Sequence, residues 1–290
     1  MKINPITETL NFRTALGLAL GMSIIVSCTN DENLESLDQS EFDEIVDSAK
    51  EDALMAEEFS SLTEFALDEV AYLETNEKSK VQSSENMPSC ATIDYNQELL
   101  TLEIDFGSEG CVGNDGLLRT GRISISWTAP LFRVGSTLEV VLNDYSVEGI
   151  GIEGSKTITN VTETEGMGSF NVVVNQARVT DLEGRTRSWS SDYTVTRIAG
   201  ADTLRPYDNV YETIGSSSGI NRNGYAFSRT ITIPLIKDRQ RGCLRNYIAG
   251  ELRIENERLD SAILLNFGDG TCDRIALLTY NGRTREIRLR

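Results

Sequence analysis

The chain has 290 residues, a net charge of −18 at pH 7 and no histidine. Without histidine, it can build neither a catalytic triad with an imidazole base nor a histidine-containing zinc site. The negative charge is concentrated: residues 29–77 contain 17 acidic residues and one basic residue, Lys50, which leaves a net charge of −3 over residues 78–290. A nearly neutral body with an acidic arm argues against nucleic-acid binding.

The N-terminus has the pattern of an export signal. Two basic residues precede an apolar run from Ala15 to Val26, which is shorter than the roughly 20 residues that span a membrane. The run ends in Ile25-Val26-Ser27-Cys28, which resembles the lipobox of bacterial lipoproteins. This resemblance implies that residues 1–27 are a signal peptide and that the sulfur of Cys28 carries lipid. The alternative is an ordinary signal peptide that contains a cysteine.

Residues 28–39 are predicted to form an acidic tether. The absence of Asp directly after Cys28 resembles outer-membrane sorting, and Asp31-Glu32 resembles the export signal of surface lipoproteins in the Bacteroidota. A disordered polar linker would have a similar composition. We therefore expect a lipid-anchored protein of the outer membrane, on either its inner or its cell-surface side.

Residues 40–76 have apolar side chains three and four positions apart, which predicts an amphipathic acidic helix. This helix is either continuous or broken near Ser60-Ser61, with Ser40 as its N-cap and Glu41 in its first turn. It could bind a partner, but amphipathic helices more often pack on their own domain, and we favour that interpretation. The scarcity of Lys and Arg argues against a membrane-surface helix.

Residues 77–89 form a polar linker, and residues 90–290 have the alternating pattern of β-strands, as in Ile123, Ile125 and Trp127. Turn residues separate about a dozen strands. We predict a mainly β protein with an N-terminal α-helix, in which the helix packs against a large antiparallel meander. The meander is either a sandwich or a strongly bent sheet. Pro234 predicts an edge strand or a bulge, because proline cannot donate a ladder hydrogen bond.

One motif occurs twice with identical spacing: Phe106-Gly107, Cys111 and Gly121-Arg122 match Phe267-Gly268, Cys272 and Gly282-Arg283. A further cysteine precedes each copy. This repetition predicts two equivalent β-hairpins.

The cysteines predict two disulfides. Four remain once Cys28 is lipidated, and an even number in an exported chain indicates disulfide bonding. Three pairings are possible, and the repeated motif favours Cys90–Cys111 with Cys243–Cys272.

No catalytic residue, metal site or cofactor is predicted. Asp269-Gly270 and Asn114-Asp115-Gly116 lack the alternating oxygen ligands of a calcium loop, and no Cys-x-x-Cys motif suggests redox chemistry. Trp127 and Trp189 could form a sugar platform, but both lie in strand patterns that are more typical of a core.

The lipobox, the acidic arm, the meander and the segments 266–273 and 280–283 together resemble uncharacterised surface and outer-membrane lipoproteins of the Bacteroidota. The resemblance implies localisation and fold only. We expect a non-catalytic envelope lipoprotein that is held at the membrane by its lipid and binds a protein, a glycan or an apolar ligand. The alternative is a histidine-free hydrolase that uses carboxylates on an envelope or extracellular substrate. An apolar cavity would favour a carrier, and two carboxylates facing each other in a cleft would favour the enzyme.

Overall fold

The computed structural model describes residues 39–75, 88–113, 116–163, 168–201, 208–239, 243 and 246–289, without the side chains of residues 51–56 and 75. These residues form one helix and fourteen strands. The helix is α1 (Gln39–Thr75), and the strands are β1 (Thr92–Asn96), β2 (Thr101–Asp105), β3 (Cys111–Val112), β4 (Leu118–Trp127), β5 (Thr137–Val147), β6 (Ile150–Asn160), β7 (Gly168–Thr180), β8 (Thr186–Ala199), β9 (Val210–Ile220), β10 (Ala226–Asp238), β11 (Ala249–Asn256), β12 (Ile263–Asp269), β13 (Ile275–Tyr280) and β14 (Arg283–Arg288).

Helix α1 is continuous, without a break at Ser60-Ser61. It contains neither glycine nor proline, the two residues that most disfavour a helix interior. The helix begins at Gln39, so the prediction that Ser40 caps it is wrong: Ser40 lies within the first turn, together with Glu41. An acidic side chain at this end is favourable because the helix dipole is positive there.

The strands form a single antiparallel sheet, which confirms the mainly β meander and selects the one-sheet form over the sandwich. Apart from β3, the strands lie side by side in chain order, so that β2 pairs with β4, and the short β3 pairs with β4 as well. Along β5, buried and less buried residues alternate, as expected for a sheet with one covered face. The covered face is apolar and the other face is rich in Ser, Thr and Asn.

Bulges interrupt many of the strand pairs. The β10 register shifts against both of its neighbours around Pro234, which confirms the predicted bulge; β10 is nevertheless a central strand. Gly121 lies at a shift between β4 and β5 with a φ of 76°. A Cβ there would come within 2.1 Å of the Asp144 carbonyl oxygen, so the bulge requires glycine. Bulges bend and twist a sheet.

The sheet bends around α1. Between Glu58 and Glu64, less than two helical turns, the helix contacts Tyr145 on β5, Trp189 on β8 and Lys237 on β10. In a flat sheet β5 and β10 would be about 24 Å apart, at least twice the diameter of a helix. These contacts therefore require curvature, and they confirm that α1 packs on the β domain.

Helix α1 runs from one end of the sheet's strands to the other. Near its start, Asp43 and Glu44 form ion pairs with Arg285 on β14 and Arg258 in the β11–β12 turn. Near its end, the Glu74 carboxylate accepts a hydrogen bond from the Leu131 backbone N–H, at 2.9 Å, in the β4–β5 loop. We call this second end of the sheet the exit end.

Candidate functional site

The middle of α1 is buried on its polar side as well as its apolar side. Apolar residues such as Phe59, Leu62 and Ala66 join a core cluster with side chains from β2 to β10. Acidic residues of the same stretch are also buried: Glu57, Glu58, Glu64, Asp68 and Glu69. Buried carboxylates need charge partners or hydrogen bonds, and the inner face of the sheet provides them.

The charge partner of Glu64 is Lys237 on β10, which is 0% exposed. Its ammonium lies 2.7 Å from the Glu64 carboxylate and donates a hydrogen bond to the Ser60 hydroxyl at 3.1 Å. The Ser60 hydroxyl in turn donates to Glu64 at 3.1 Å. The side chains of α1 and β10 therefore form a closed, buried polar triad.

A second ion pair joins Asp68 and Arg239 towards the exit end. Tyr211 places its hydroxyl 3.5 Å from Asp68, and Asn209 donates to that hydroxyl at 3.0 Å. Burial raises the pKa of Asp68 to about 6, although the Arg239 guanidinium opposes the rise. Burial also raises the pKa of Tyr211, so the phenol stays protonated and can donate.

Lys156 on β6 differs from these cations. It is buried, and it donates hydrogen bonds to the Phe59 carbonyl and, at 2.7 Å, to the Thr63 hydroxyl. Within the described part of the chain, no carboxylate forms an ion pair with it. Burial lowers the pKa of Lys156 to about 7, while Glu58 and Glu64 act in the opposite direction.

A cavity of about 40 Å³ lies beside Lys156, between α1 and the inner face of the sheet. Lys156 is the charged residue of its lining, and hydroxyl-bearing and apolar side chains complete the walls. The lining residues are Phe59, Ser60, Thr63, Lys156, Val172, Val174, Ser191, Tyr193, Val195, Thr213, Ile231, Leu235, Tyr247 and Phe267.

The exit end of the sheet carries four exposed apolar residues, which we call the exit rim and define as Phe132, Val134, Val161 and Ile198. Phe132 is 48% and Val134 64% exposed. The Arg197 guanidinium lies 5.5 Å from the centre of the Phe132 ring. A backbone hydrogen bond of 2.8 Å joins Gly135, next to Val134, to Asn160, next to Val161. These contacts place the four side chains on adjoining segments.

The predicted disulfides are confirmed. Cys90 pairs with Cys111 at a Cα–Cα distance of 5.6 Å, and Cys243 with Cys272 at 5.8 Å. Lipidation of Cys28 and the tether at 28–39 fall outside the described residues, apart from Gln39. Most of the linker at 77–89 lies outside them as well.

The two motif copies are not equivalent hairpins, so that prediction is wrong. Gly121 lies inside β4 against the backbone of Asp144, whereas Gly282 lies in the β13–β14 turn and a Cβ there would meet nothing within 4 Å. The Cys243–Cys272 bond links the β10–β11 and β12–β13 connections. Identical spacing therefore accompanies different local structures.

The remaining candidates from the sequence have structural roles. Trp127 and Trp189 are buried at 4% and 2% exposure, so neither offers a sugar platform. The Asp269 carboxylate accepts hydrogen bonds from Thr271 in an ordinary turn, while Asn114 and Asp115 fall outside the described residues. Among the residues that are described, no three His, Cys, Asp or Glu side chains are grouped to hold a metal ion.

Sequence reasoning missed the inward-facing cations Lys156, Lys237 and Arg239. A signal was present, because Lys156 shares the inward positions of β6 with Ile152 and Ile158. A cation at such a position, together with an acidic helix, predicts pairing across the core. No helix within the described ranges has the length and apolar character to cross a membrane.

No protein-family model, curated protein or solved structure matches this chain. The resemblance to Bacteroidota lipoproteins therefore stays a prediction from the sequence.

Proposed function

We propose that this protein is a non-catalytic, lipid-anchored lipoprotein of the bacterial outer membrane that binds a partner protein through its exit rim. The anchor is Cys28, which follows the apolar segment of residues 15–26 in the manner of a lipobox. Two disulfides are in keeping with an exported protein.

The filled interior of the sheet favours a surface site over a small-molecule carrier. Helix α1 occupies the concave face, and two cavities that described residues line beside it, at Glu44 and at Lys156, measure about 40 Å³ each. Sites for drug-sized ligands measure about 300–1,000 Å³. The proposal therefore places the partner on the outside of the molecule.

The arrangement of acids does not favour the hydrolase alternative. Glu64 and Asp68 are buried and paired with Lys237 and Arg239, whereas glycoside hydrolysis needs two carboxylates that flank a substrate. Glycan binding likewise lacks support from the two tryptophans, which are buried. Of the alternatives, we therefore retain the binding of a partner protein.

The observation that carries the proposal is the composition of the exit rim. The guanidinium of Arg197 lies 5.5 Å from the ring centre of the exposed Phe132, and exposed aliphatic side chains lie on the adjoining segments. Aromatic residues and arginine are enriched in protein interfaces and their hot spots. Arg133, also exposed, adds a second positive charge. The patch thus suits a partner surface that combines apolar side chains with carboxylates. Leu182, an exposed aliphatic residue in the β7–β8 turn, has a different setting, because Arg185 of that turn is already paired with Asp181 and Glu183.

Photo-crosslinking in the producing cells tests this proposal. A benzoylphenylalanine at position 132 should yield a discrete adduct of higher mass after irradiation, because Phe132 would contact the partner. Leu182 is the matched control, since it is 76% exposed at the opposite end of the sheet. Adducts at position 132 and none at 182 support the proposal. The absence of an adduct at 132, or the same adduct at both positions, contradicts it.

A further inference from the structure

The cavity at Lys156 contains an ammonium that lies 5.5 Å from the centre of the Phe59 ring but forms no ion pair with a carboxylate of the described residues. A lysine ammonium has three hydrogens to donate, and the Phe59 carbonyl and the Thr63 hydroxyl accept two of them. Both acceptors are neutral and lie on α1. Among the described residues, the third hydrogen therefore has no acceptor and the positive charge has no carboxylate in contact with it.

The acidic residues near Lys156 have other partners. Glu64 lies 2.7 Å from the Lys237 ammonium, and the Glu58 carboxylate accepts a hydrogen bond from the Tyr145 hydroxyl at 3.3 Å. Both acids act on Lys156 only through longer-range attraction, which Lys237 opposes. A buried charge without a close partner is costly, so an anion beside Lys156 would be stabilising.

The cavity wall has the chemistry of a site for a small organic anion. The lining includes the hydroxyl-bearing side chains of Ser191, Thr213 and Tyr247 and the apolar side chains of Val174 and Val195. An entirely apolar cavity of this kind would stay dry, whereas one with a cation takes up a polar occupant. At roughly 10–15 Å³ per water, about 40 Å³ holds only three or four non-hydrogen atoms.

We propose that this cavity binds a short monocarboxylate of the size of formate or acetate, with the carboxylate on the Lys156 ammonium and the methyl group of acetate against Val174 and Val195. The size limit follows from the cavity volume, and the preference for an anion follows from an ammonium that has no carboxylate in contact with it among the described residues. A carboxylate suits the mixed wall better than a halide does, because it combines hydrogen-bond acceptors with an apolar end. This site is independent of the exit rim and of the function proposed for it.

Binding should depend on pH through Lys156. Its ammonium form, which binds the anion, dominates below a pKa of about 7, so the acetate dissociation constant should rise about tenfold per pH unit above that value. The charged and titratable groups that face Lys156 are Glu58 and Glu64 on α1, Lys237 on β10, Tyr193 on β8, and Tyr247 before β11. Burial raises the pKa of both tyrosines to about 12, so neither titrates in this range.

Thermal unfolding of the full chain in sodium acetate or sodium formate, against sodium chloride at equal ionic strength, tests the proposal. We expect a saturable rise in Tm with the carboxylates at pH 6, and an apparent dissociation constant that is about tenfold larger at pH 8. Lys156→Met keeps an unbranched side chain of similar length and should abolish the effect. Lys50→Met, on the partly exposed side of α1, is the matched control and should retain it. Equal Tm changes in chloride and acetate, or an undiminished acetate effect in Lys156→Met, would overturn the proposal.

A direct measurement keeps the test valid if Lys156→Met does not fold. Wild-type protein titrated with ¹³C-labelled acetate should show nuclear Overhauser contacts between the acetate methyl and the methyl groups of Val174 and Val195. Contacts to these valines support the site. Their absence at saturating acetate means that the cavity holds water only, and the proposal fails.

Discussion

The buried ion pair between Glu64 and Lys237 should make a large contribution to the stability of α1 inside the sheet. The change Glu64→Gln removes the charge that faces an ammonium 2.7 Å away, on a lysine with no exposed surface. Removing one member of a buried ion pair costs about 3–5 kcal/mol, because the other charge stays buried and uncompensated. Lys237 would keep the Ser60 hydroxyl and a position 5.2 Å from the Tyr247 ring centre, so we expect a loss near the lower limit, about 3 kcal/mol.

Urea unfolding with intact disulfides, followed by circular dichroism, measures this loss. The double variant Glu64→Leu with Lys237→Met should recover most of it, because an apolar pair of similar volume is often neutral or stabilising in place of a buried ion pair. The exposed pair Arg253–Glu255, at 3.0 Å, is the matched control, and Glu255→Gln should cost less than about 1 kcal/mol. A loss for Glu64→Gln no larger than for Glu255→Gln would refute the reasoning. So would a loss in the double variant that equals the sum of the losses in Glu64→Leu and Lys237→Met measured alone.

Three further predictions concern Lys156, Cys28 and the disulfides. Burial lowers the pKa of Lys156 from 10.5 to about 7, so the unfolded chain binds more protons than the folded protein between these pH values. The free energy of unfolding should therefore rise with pH across that window. Urea unfolding at pH 7, 8.5 and 10 should show this rise in the wild type and a smaller one in Lys156→Met. Cys28→Ser should shift the protein out of the membrane fraction, and unchanged fractionation would argue against the lipid anchor. Replacing both Cys243 and Cys272 with Ser should lower the free energy of unfolding by about 3–4 kcal/mol, the value for a loop of roughly 30 residues, and a loss below 1 kcal/mol in urea unfolding would contradict this.

The local structure was largely predictable from the sequence. The alternation of Ile123, Ile125 and Trp127 marks one covered face, and the helical spacing after Ser40 marks α1, because side-chain period depends on local backbone geometry. The cysteine pairing followed from the position of each cysteine beside its own motif copy. These inferences need only neighbouring residues.

The curvature of the sheet was not predictable in the same way. It arises from bulges distributed over many strand pairs. One of these bulges requires Gly121, yet Gly121 has the same sequence context as Gly282, which lies in a simple turn. Without the curvature, Lys156 and Lys237 cannot be placed opposite the acids of α1. The exit rim escaped detection for another reason: Phe132 and Val134 lie in a loop, where no periodicity marks a shared surface.

The binding affinity of the purified protein for the partner captured at position 132 tests the proposed function most directly. The variant with Phe132→Ser and Val134→Ser should bind at least tenfold more weakly than the wild type, with an unchanged Tm, because both side chains are exposed in the free protein. Leu182→Ser should bind like the wild type. Equal affinities for the wild type and the rim variant would contradict the account.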